Sequence, residues 1–351
     1  MTATAPALLS PAASAIRAGR RRRGRRRAIG IAALSVLLVA LIVAMLMLGR
    51  TIYPLGDVVA VLASQDVPGA SFTVGTLRVP RVVAGVLAGI AFGIAGTTFQ
   101  TMLRNPLASP DVIGITSGAS AAAVFALVVL QASSGVTTLL ALVIGVATAA
   151  AIALAARGGD SGGGRLILIG IGIGAMLDAV VSFLIQRASE WDVAAAMRWL
   201  TGSLNGARTE DLPPLAIAVV ILAPLVLVLS RDLRALELGE ASATALGVRT
   251  GRARLLLIVA AVALACFATA TTGPIAFVAF LAGPIAARIV GSGSSLVVPA
   301  ALVGACLVLG ADLIGQFAFD TAFPVGVITG ILGAPYLIVL LIRTSRHGGS
   351  S

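Results

Sequence analysis

Lysine is absent from this chain, histidine occurs once, cysteine twice, and charged residues of both signs fill only 11% of its 351 positions. Each shortage closes a class of function. Without lysine there is no GxxxxGK[ST] loop to cradle nucleotide phosphates, so the chain is not expected to hydrolyse a nucleotide or to act as an enzyme by itself. His347 stands alone in the polar tail Arg346-His-Gly-Gly-Ser-Ser351, and Cys266 and Cys306 sit singly within apolar stretches. Neither arrangement has the spacing of a metal or redox site, so no metal and no bound cofactor are expected. So few charges cannot cover a water-soluble domain of this length. Hydrophobic residues supply 58% of the chain and mean hydropathy is +1.06, the profile of a polytopic membrane protein.

Largely apolar runs place ten spans near 28–49, 82–101, 116–131, 137–156, 165–186, 213–230, 253–272, 276–290, 296–316 and 325–342. The third and eighth are short and flanked by glycine or proline. Segments such as Leu139–Leu154 and Leu215–Leu229 are apolar all round, unlike the single stripe of a soluble helix. Barrel strands would alternate over about ten residues instead, so the fold class is all-α. The first run is of full spanning length, with a long basic flank and no small-residue cleavage site before Arg50, unlike a cleaved leader. We therefore expect a disordered basic tail over 1–27, one membrane domain over 28–343 and a short tail over 344–351.

Arginine sets the orientation. With the block Arg17-Ala-Gly-Arg-Arg-Arg-Arg-Gly-Arg-Arg-Arg27 inside, ten spans leave both termini cytoplasmic. Nineteen arginines then fall inside, against six outside: Arg50, Arg78, Arg81, Arg187, Arg198 and Arg208. The net charge of +11 is accounted for by anionic lipid rather than by nucleic acid.

Several interruptions carry further expectations. The outside stretch 187–212, with Trp191 and Trp199, predicts a short amphipathic helix at the interface. Gly85, Gly89 and Gly93 share one helical face with Gly96 close by, and Gly326 and Gly330 repeat the spacing, which predicts close helix packing. Asp178 and Asp312 are the candidates for embedded charge, and neither has an evident basic partner in the sequence. Two isolated acids argue weakly for an ion-coupled carrier.

The joints between spans form an ordered set. Leu77-Arg-Val-Pro-Arg81 enters the second span, and Gln100-Thr-Met-Leu-Arg-Asn-Pro-Leu-Ala-Ser-Pro110 closes it, followed by Gly114 and Gly118. Then come Leu168-Ile-Gly170, Trp199-Leu-Thr-Gly-Ser-Leu204, Leu236-Glu-Leu-Gly-Glu-Ala-Ser-Ala-Thr-Ala-Leu-Gly-Val248 and Gly273-Pro-Ile-Ala-Phe-Val278. Ala311-Asp312, Phe323-Pro-Val-Gly-Val327 and Leu332-Gly-Ala-Pro-Tyr336 complete it. Over roughly 28–343 this set closely resembles the permease family of ABC importers for iron–siderophores, haem and vitamin B12.

The resemblance implies a ten-helix fold like that of the vitamin B12 importer, in a bacterial plasma membrane. It implies a second permease subunit, two cytoplasmic ATPases that bind ATP and Mg, and an extracytoplasmic binding protein. By the same resemblance, Leu238, Gly239, Glu240, Ala245, Leu246 and Gly247 form the ATPase-coupling loop, where Gly239 allows a tight turn into a short helix. Arg78 and Arg81 match arginines that dock the binding protein, three-residue spacing placing both on one exposed face. Lipid anchoring is the competing role. Gln100, Asn105, Pro106, Gly283 and Pro284 match positions for helix packing or gating. The substrate implied is a ferric siderophore, with haem or cobalamin as alternatives. Three positions depart from the family pattern: Ile285 replaces a histidine, Gln316 an arginine and Ala322 an acid. The last two weaken one expected contact to the binding protein, which leaves a homodimer and a paralogous heterodimer both open.

Overall fold

The computed structural model describes residues 11–111, 114–156, 162–291, 293 and 295–348. The chain is all-helical over these residues. Six helices are long and apolar enough to cross a membrane: α1 (Pro11–Met47), α3 (Val79–Leu103), α5 (Ser134–Ala155), α6 (Gly162–Gln186), α11 (Thr250–Thr272) and α13 (Val297–Phe317). The pair α8 (Pro213–Val228) and α9 (Ser230–Glu237), bent by 52° at their joint, is long and apolar enough when taken together. Three shorter apolar stretches complete the set: α4 (Ile115–Val128), α12 (Val278–Val290) and the Val325–Val339 part of α14 (Val325–Gly348). Each expected span falls on one of these elements. The connections contribute α2 (Leu55–Leu62), α7 (Glu190–Leu200) and α10 (Glu240–Ala245), and a π-helical segment, Ser71–Arg78, leads into α3.

Helix α1 begins at Pro11, so residues 11–27, expected as an unstructured tail, are helical. Alanine and arginine are both strong helix formers, and the run simply continues outward from the apolar span. Residues 1–10 lie outside the described residues. At the base of the apolar part, Arg26 donates to the carbonyls of Ile289 (3.1 Å) and Arg288 (2.5 Å), satisfying the exposed end of α12. At the other end of the chain, α14 continues to Gly348.

Helix α3 is the centre of the molecule. Of its apolar window 78% is buried, against 17% for α6, which lies at the edge. It packs on α11, α12 and above all α13. Glycine makes that contact possible. A Cβ on Gly89 would lie 2.5 Å from Ala305 Cα and 2.6 Å from the Gly304 carbonyl oxygen, and a Cβ on Gly304 would strike the Gly89 carbonyl. Gly93 abuts the Ala300 carbonyl, Gly96 the Ala279 carbonyl, and Gly85 the side chains of Leu309 and Leu204. These helices meet backbone to backbone, as the spacing predicts. The pair in α14 behaves differently. Gly326 abuts the Thr201 carbonyl, whereas a side chain on Gly330 would meet nothing within 4 Å.

The short helix predicted over 187–212 is α7. Ser189 caps it by accepting from the Asp192 amide at 3.3 Å, Glu190 and Asp192 occupy its first turn, and Arg198 its last. Trp191 is 88% exposed on it.

Candidate functional site

Two clusters of motif residues form at opposite ends of α3. At the end where α3 terminates, Gln100 clamps the helix by donating to the Pro106 carbonyl at 3.0 Å and the Phe280 carbonyl of α12 at 2.9 Å. Asn105 accepts from the Leu107 amide at 2.9 Å and so closes the turn that follows. A side chain on Gly283 would collide with Gln100 Oε1. Gln100, Asn105, Pro106, Gly283 and Pro284 therefore share one groove, between the ends of α3 and α12. Ile285, where the family pattern has histidine, packs with the apolar cluster of Leu34, Ala282 and Ala286 against α1. An imidazole there would sit half-buried among aliphatic groups.

Beside this groove runs the loop α9–Gly239–α10. Leu233 and Leu236 bury the inner face of α9. Gly239 then turns at φ +100° and α10 follows at once, while Gly247 turns at φ +84° two residues after α10 ends. Only glycine takes such angles without strain. Between these turns Ala243 is buried, whereas Leu246 is exposed, as is Leu238 just ahead of Gly239. The short helix after a glycine turn is thus as the sequence predicts, and it presents leucines outward.

Nearby, in the turn between α3 and α4, lies a residue that the motif reading passed over. Among the described residues, one carboxylate oxygen of Asp111 is sealed from solvent and has no hydrogen-bond partner, and burial pushes its carboxyl up to about 7. No sequence signal distinguishes it from an ordinary turn aspartate after proline.

At the end where α3 begins, the two arginines are occupied internally. Arg78 is buried, and its guanidinium donates to the carbonyls of Leu46 (2.7 Å), Met47 (2.8 Å) and Thr51 (2.7 Å). It caps the C-terminal end of α1, with the Tyr53 ring 5.1 Å from Cζ. A side chain on Gly49 would overlap the guanidinium, so Gly49 is the unpredicted residue that makes room. The expectation that Arg78 stands exposed beside Arg81 is therefore corrected. The wider π-helical turn ending at Arg78 breaks the assumed α-helical register and turns the side chain onto α1. This geometry also excludes lipid anchoring through Arg78.

Arg81 grips Asp312 of α13 in a two-pronged ion pair, Nε to Oδ2 at 2.8 Å and Nη2 to Oδ1 at 2.7 Å, and donates through Nη1 to Asn205 at 2.5 Å. Asp312 is 1% exposed and the Arg81 side chain 18%. Gln316 adds a third donor to Asp312 at 2.7 Å. Asp312 is thus not an isolated acid; its partner lies 231 residues away, beyond the reach of a sequence pattern. Gln316 serves the same carboxylate from one turn along α13. Together these residues tie α3, α13 and the 201–208 loop at that end of α3. Ala322 is exposed in the connection from α13 to α14.

Among the described residues no group of histidine, cysteine, aspartate and glutamate could hold a metal ion.

Comparison with known proteins finds matches along most of the chain. The model of the FecCD transport family matches residues 37–343. The ferric enterobactin transport system permease protein FepG of Escherichia coli (strain K12) is 41% identical over 294 residues, 83% of this chain and 88% of that protein. The achromobactin transport system permease protein CbrC of Dickeya dadantii (strain 3937) is 40% identical over 324 residues, covering 91% and 93%. A solved metal-chelate type ABC transporter in an inward-facing conformation superposes with a TM-score of 0.78 at 27% identity, covering 89% of this chain and 98% of that one. A match reaching from the first span to the last, over the motifs gathered at both ends of α3, makes this chain a member of the FecCD transport family and a non-catalytic, multi-pass membrane permease of the ABC-importer type.

Proposed function

We infer that this chain is the permease subunit of an ATP-driven importer for a ferric siderophore, forming half of the translocation pathway. The observation that carries the inference is the family match over 37–343, together with high identity to permeases named for ferric enterobactin and achromobactin. On this reading the ten apolar elements are ten crossings with both termini cytoplasmic. Two permease subunits enclose the passage, ATPases bind at the α9–Gly239–α10 loop, and a binding protein delivers the chelate from outside. The exposed leucines beside two glycine turns suit a docking loop, because they offer apolar surface on a backbone of fixed shape. On the outer rim, Arg81 is the arginine within reach of a binding protein, and Arg78 supports it from within. An ion-coupled carrier loses one of its two candidate acids, since Asp312 is held by Arg81. The test is reconstitution with the neighbouring ATPase and binding protein. Accumulation of a radiolabelled ferric siderophore should require ATP and the binding protein, and uptake driven by an ion gradient without ATP would refute the assignment.

A further inference from the structure

The arginine-rich start of α1 is helical against its own electrostatics. No acid occurs before Asp57, and the first turn of α1 holds none to face its positive end. Helical spacing sets arginine beside arginine: Arg20 with Arg23, Arg21 with Arg25, Arg22 with Arg26 and Arg23 with Arg27. Like charges three or four residues apart destabilise a helix. Arg20, Arg21, Arg22, Arg23 and Arg25 are exposed, and among the described residues none of them has an ion-pair partner. An anionic surface laid alongside removes the conflict.

Two contacts fix what stands next to this helix. Arg26 bonds the last carbonyls of α12, and a side chain on Gly291 would lie 3.4 Å from its Nη1. From the other side, Arg234 of α9 donates to the Gly293 carbonyl at 3.2 Å. The short connection from α12 to α13 is thus held between the basic helix and the α9–Gly239–α10 loop, which makes the two neighbours. Past Arg26 the helix continues without a break. At 1.5 Å per residue, Arg23 lies roughly 8 Å and Arg20 roughly 12 Å beyond Ala28, where the apolar run begins. A headgroup layer is about 5–8 Å thick, so lipid phosphates reach Arg25, Arg26 and Arg27 and leave the run before them at or past their outer edge. We propose that Arg20, Arg21, Arg22 and Arg23 form a second docking surface for the ATPase subunit, facing an acidic flank of it beside the loop.

The proposal rests on the importer reading, which sets the basic helix and the loop on the ATPase side of the membrane. It adds a contact of different chemistry. The loop offers exposed Leu238 and Leu246 on a backbone of fixed shape, an apolar contact that salt does not weaken. The arginine run offers charge, which acts over about 8 Å at physiological ionic strength and steers a partner before it touches. The loop sets the register of the docked subunit, and the arginine run raises the rate at which docking occurs.

Binding of the neighbouring ATPase to the membrane core, held with its partner permease in nanodiscs of zwitterionic lipid, tests this. Arg20→Gln, Arg21→Gln, Arg22→Gln and Arg23→Gln together should weaken binding about tenfold at roughly 50 mM salt, chiefly through slower association, and the difference should vanish at about 0.5 M. The same four positions changed to lysine keep the charge and should keep the affinity. Arg26 is untouched in both variants, so the seat of α1 on α12 remains. Parent-like affinity of the neutral variant at low salt overturns the proposal. So does an equal loss in the lysine variant, which would make the run's role structural. A loss seen only when anionic phosphatidylglycerol is added overturns it too, and assigns the run to lipid. A parent that binds no ATPase at any salt refutes the importer reading itself. Gly239→Pro with Glu240→Arg separates the two surfaces, because binding should then fall at low and high salt alike.

Discussion

Removing Arg81 should damage this protein more than removing its partner Asp312, and the difference follows from burial. Arg81→Ala leaves a carboxylate that is 1% exposed with Gln316 as its remaining side-chain donor. Stranding a buried charge in this way costs about 3–5 kcal/mol. Asp312→Ala instead leaves a guanidinium that is 18% exposed and still bonded to Asn205, so part of its charge can be hydrated. We expect that loss to be nearer 2 kcal/mol, toward the cost of a charged hydrogen bond. Once Arg81 is gone, removing Asp312 deletes the stranded charge. The double variant should therefore be more stable than Arg81→Ala alone, with a coupling energy of about 1–3 kcal/mol. Thermal unfolding of the four proteins in one detergent, followed by the fluorescence of Trp191 and Trp199, measures the cycle. Equal losses for the two single variants, with additive behaviour in the double, would refute the account of Asp312 as a carboxylate held in place by Arg81.

Further outcomes are expected elsewhere. Gly89→Ala and Gly304→Ala should each lower yield and melting temperature in size-exclusion and thermal assays, because a methyl strikes opposing backbone, while Gly330→Ala should be neutral. Gly239→Ala forces φ +100° on a residue with a side chain, at a cost of about 1–2 kcal/mol. It should weaken co-purification of the ATPase without preventing insertion, and Gly239→Pro combined with Glu240→Arg should abolish ATP-dependent uptake. Asp111 has its carboxyl raised from 3.8 to about 7, so the folded protein favours the neutral form and loses that advantage as pH rises between these values. Asp111→Asn should accordingly stabilise the protein at pH 8 more than at pH 5, measured as the shift in melting temperature at each pH. Cysteines introduced at positions 160 and 240 should resist an impermeant maleimide in sealed cells, and one at position 64 should react. Labelling at position 240 would reverse the proposed orientation.

What the sequence discloses about this fold divides along a physical line. Gly85, Gly89 and Gly93 announce a close helix contact because their spacing is local, and Gly239 announces its turn because only one residue type tolerates that backbone. Pairing across the fold is another matter. Nothing near Asp312 names Arg81, and nothing near Arg78 shows that it would turn inward to cap α1. Both depend on how α1, α3 and α13 lie against one another. The helical extension of α1 was missed on composition: alanine and proline at its start suggested disorder, although the arginines that follow favour helix. Asp111 was missed because burial of a turn is a tertiary property.

The glycine contacts of α3 also bear on how the molecule can move. Where two helices touch through side chains, rotamers can rearrange and the helices can slide past one another. Where Gly89 meets Gly304 and Gly96 meets the Ala279 carbonyl, there are no side chains to rearrange. Helices α3, α12 and α13 are therefore welded into a single rigid strut through the middle of the subunit. A transport cycle must find its hinges elsewhere, at the 52° joint between α8 and α9 and along the sparsely buried α6. The first lies just ahead of the Gly239 turn, and the second carries Asp178.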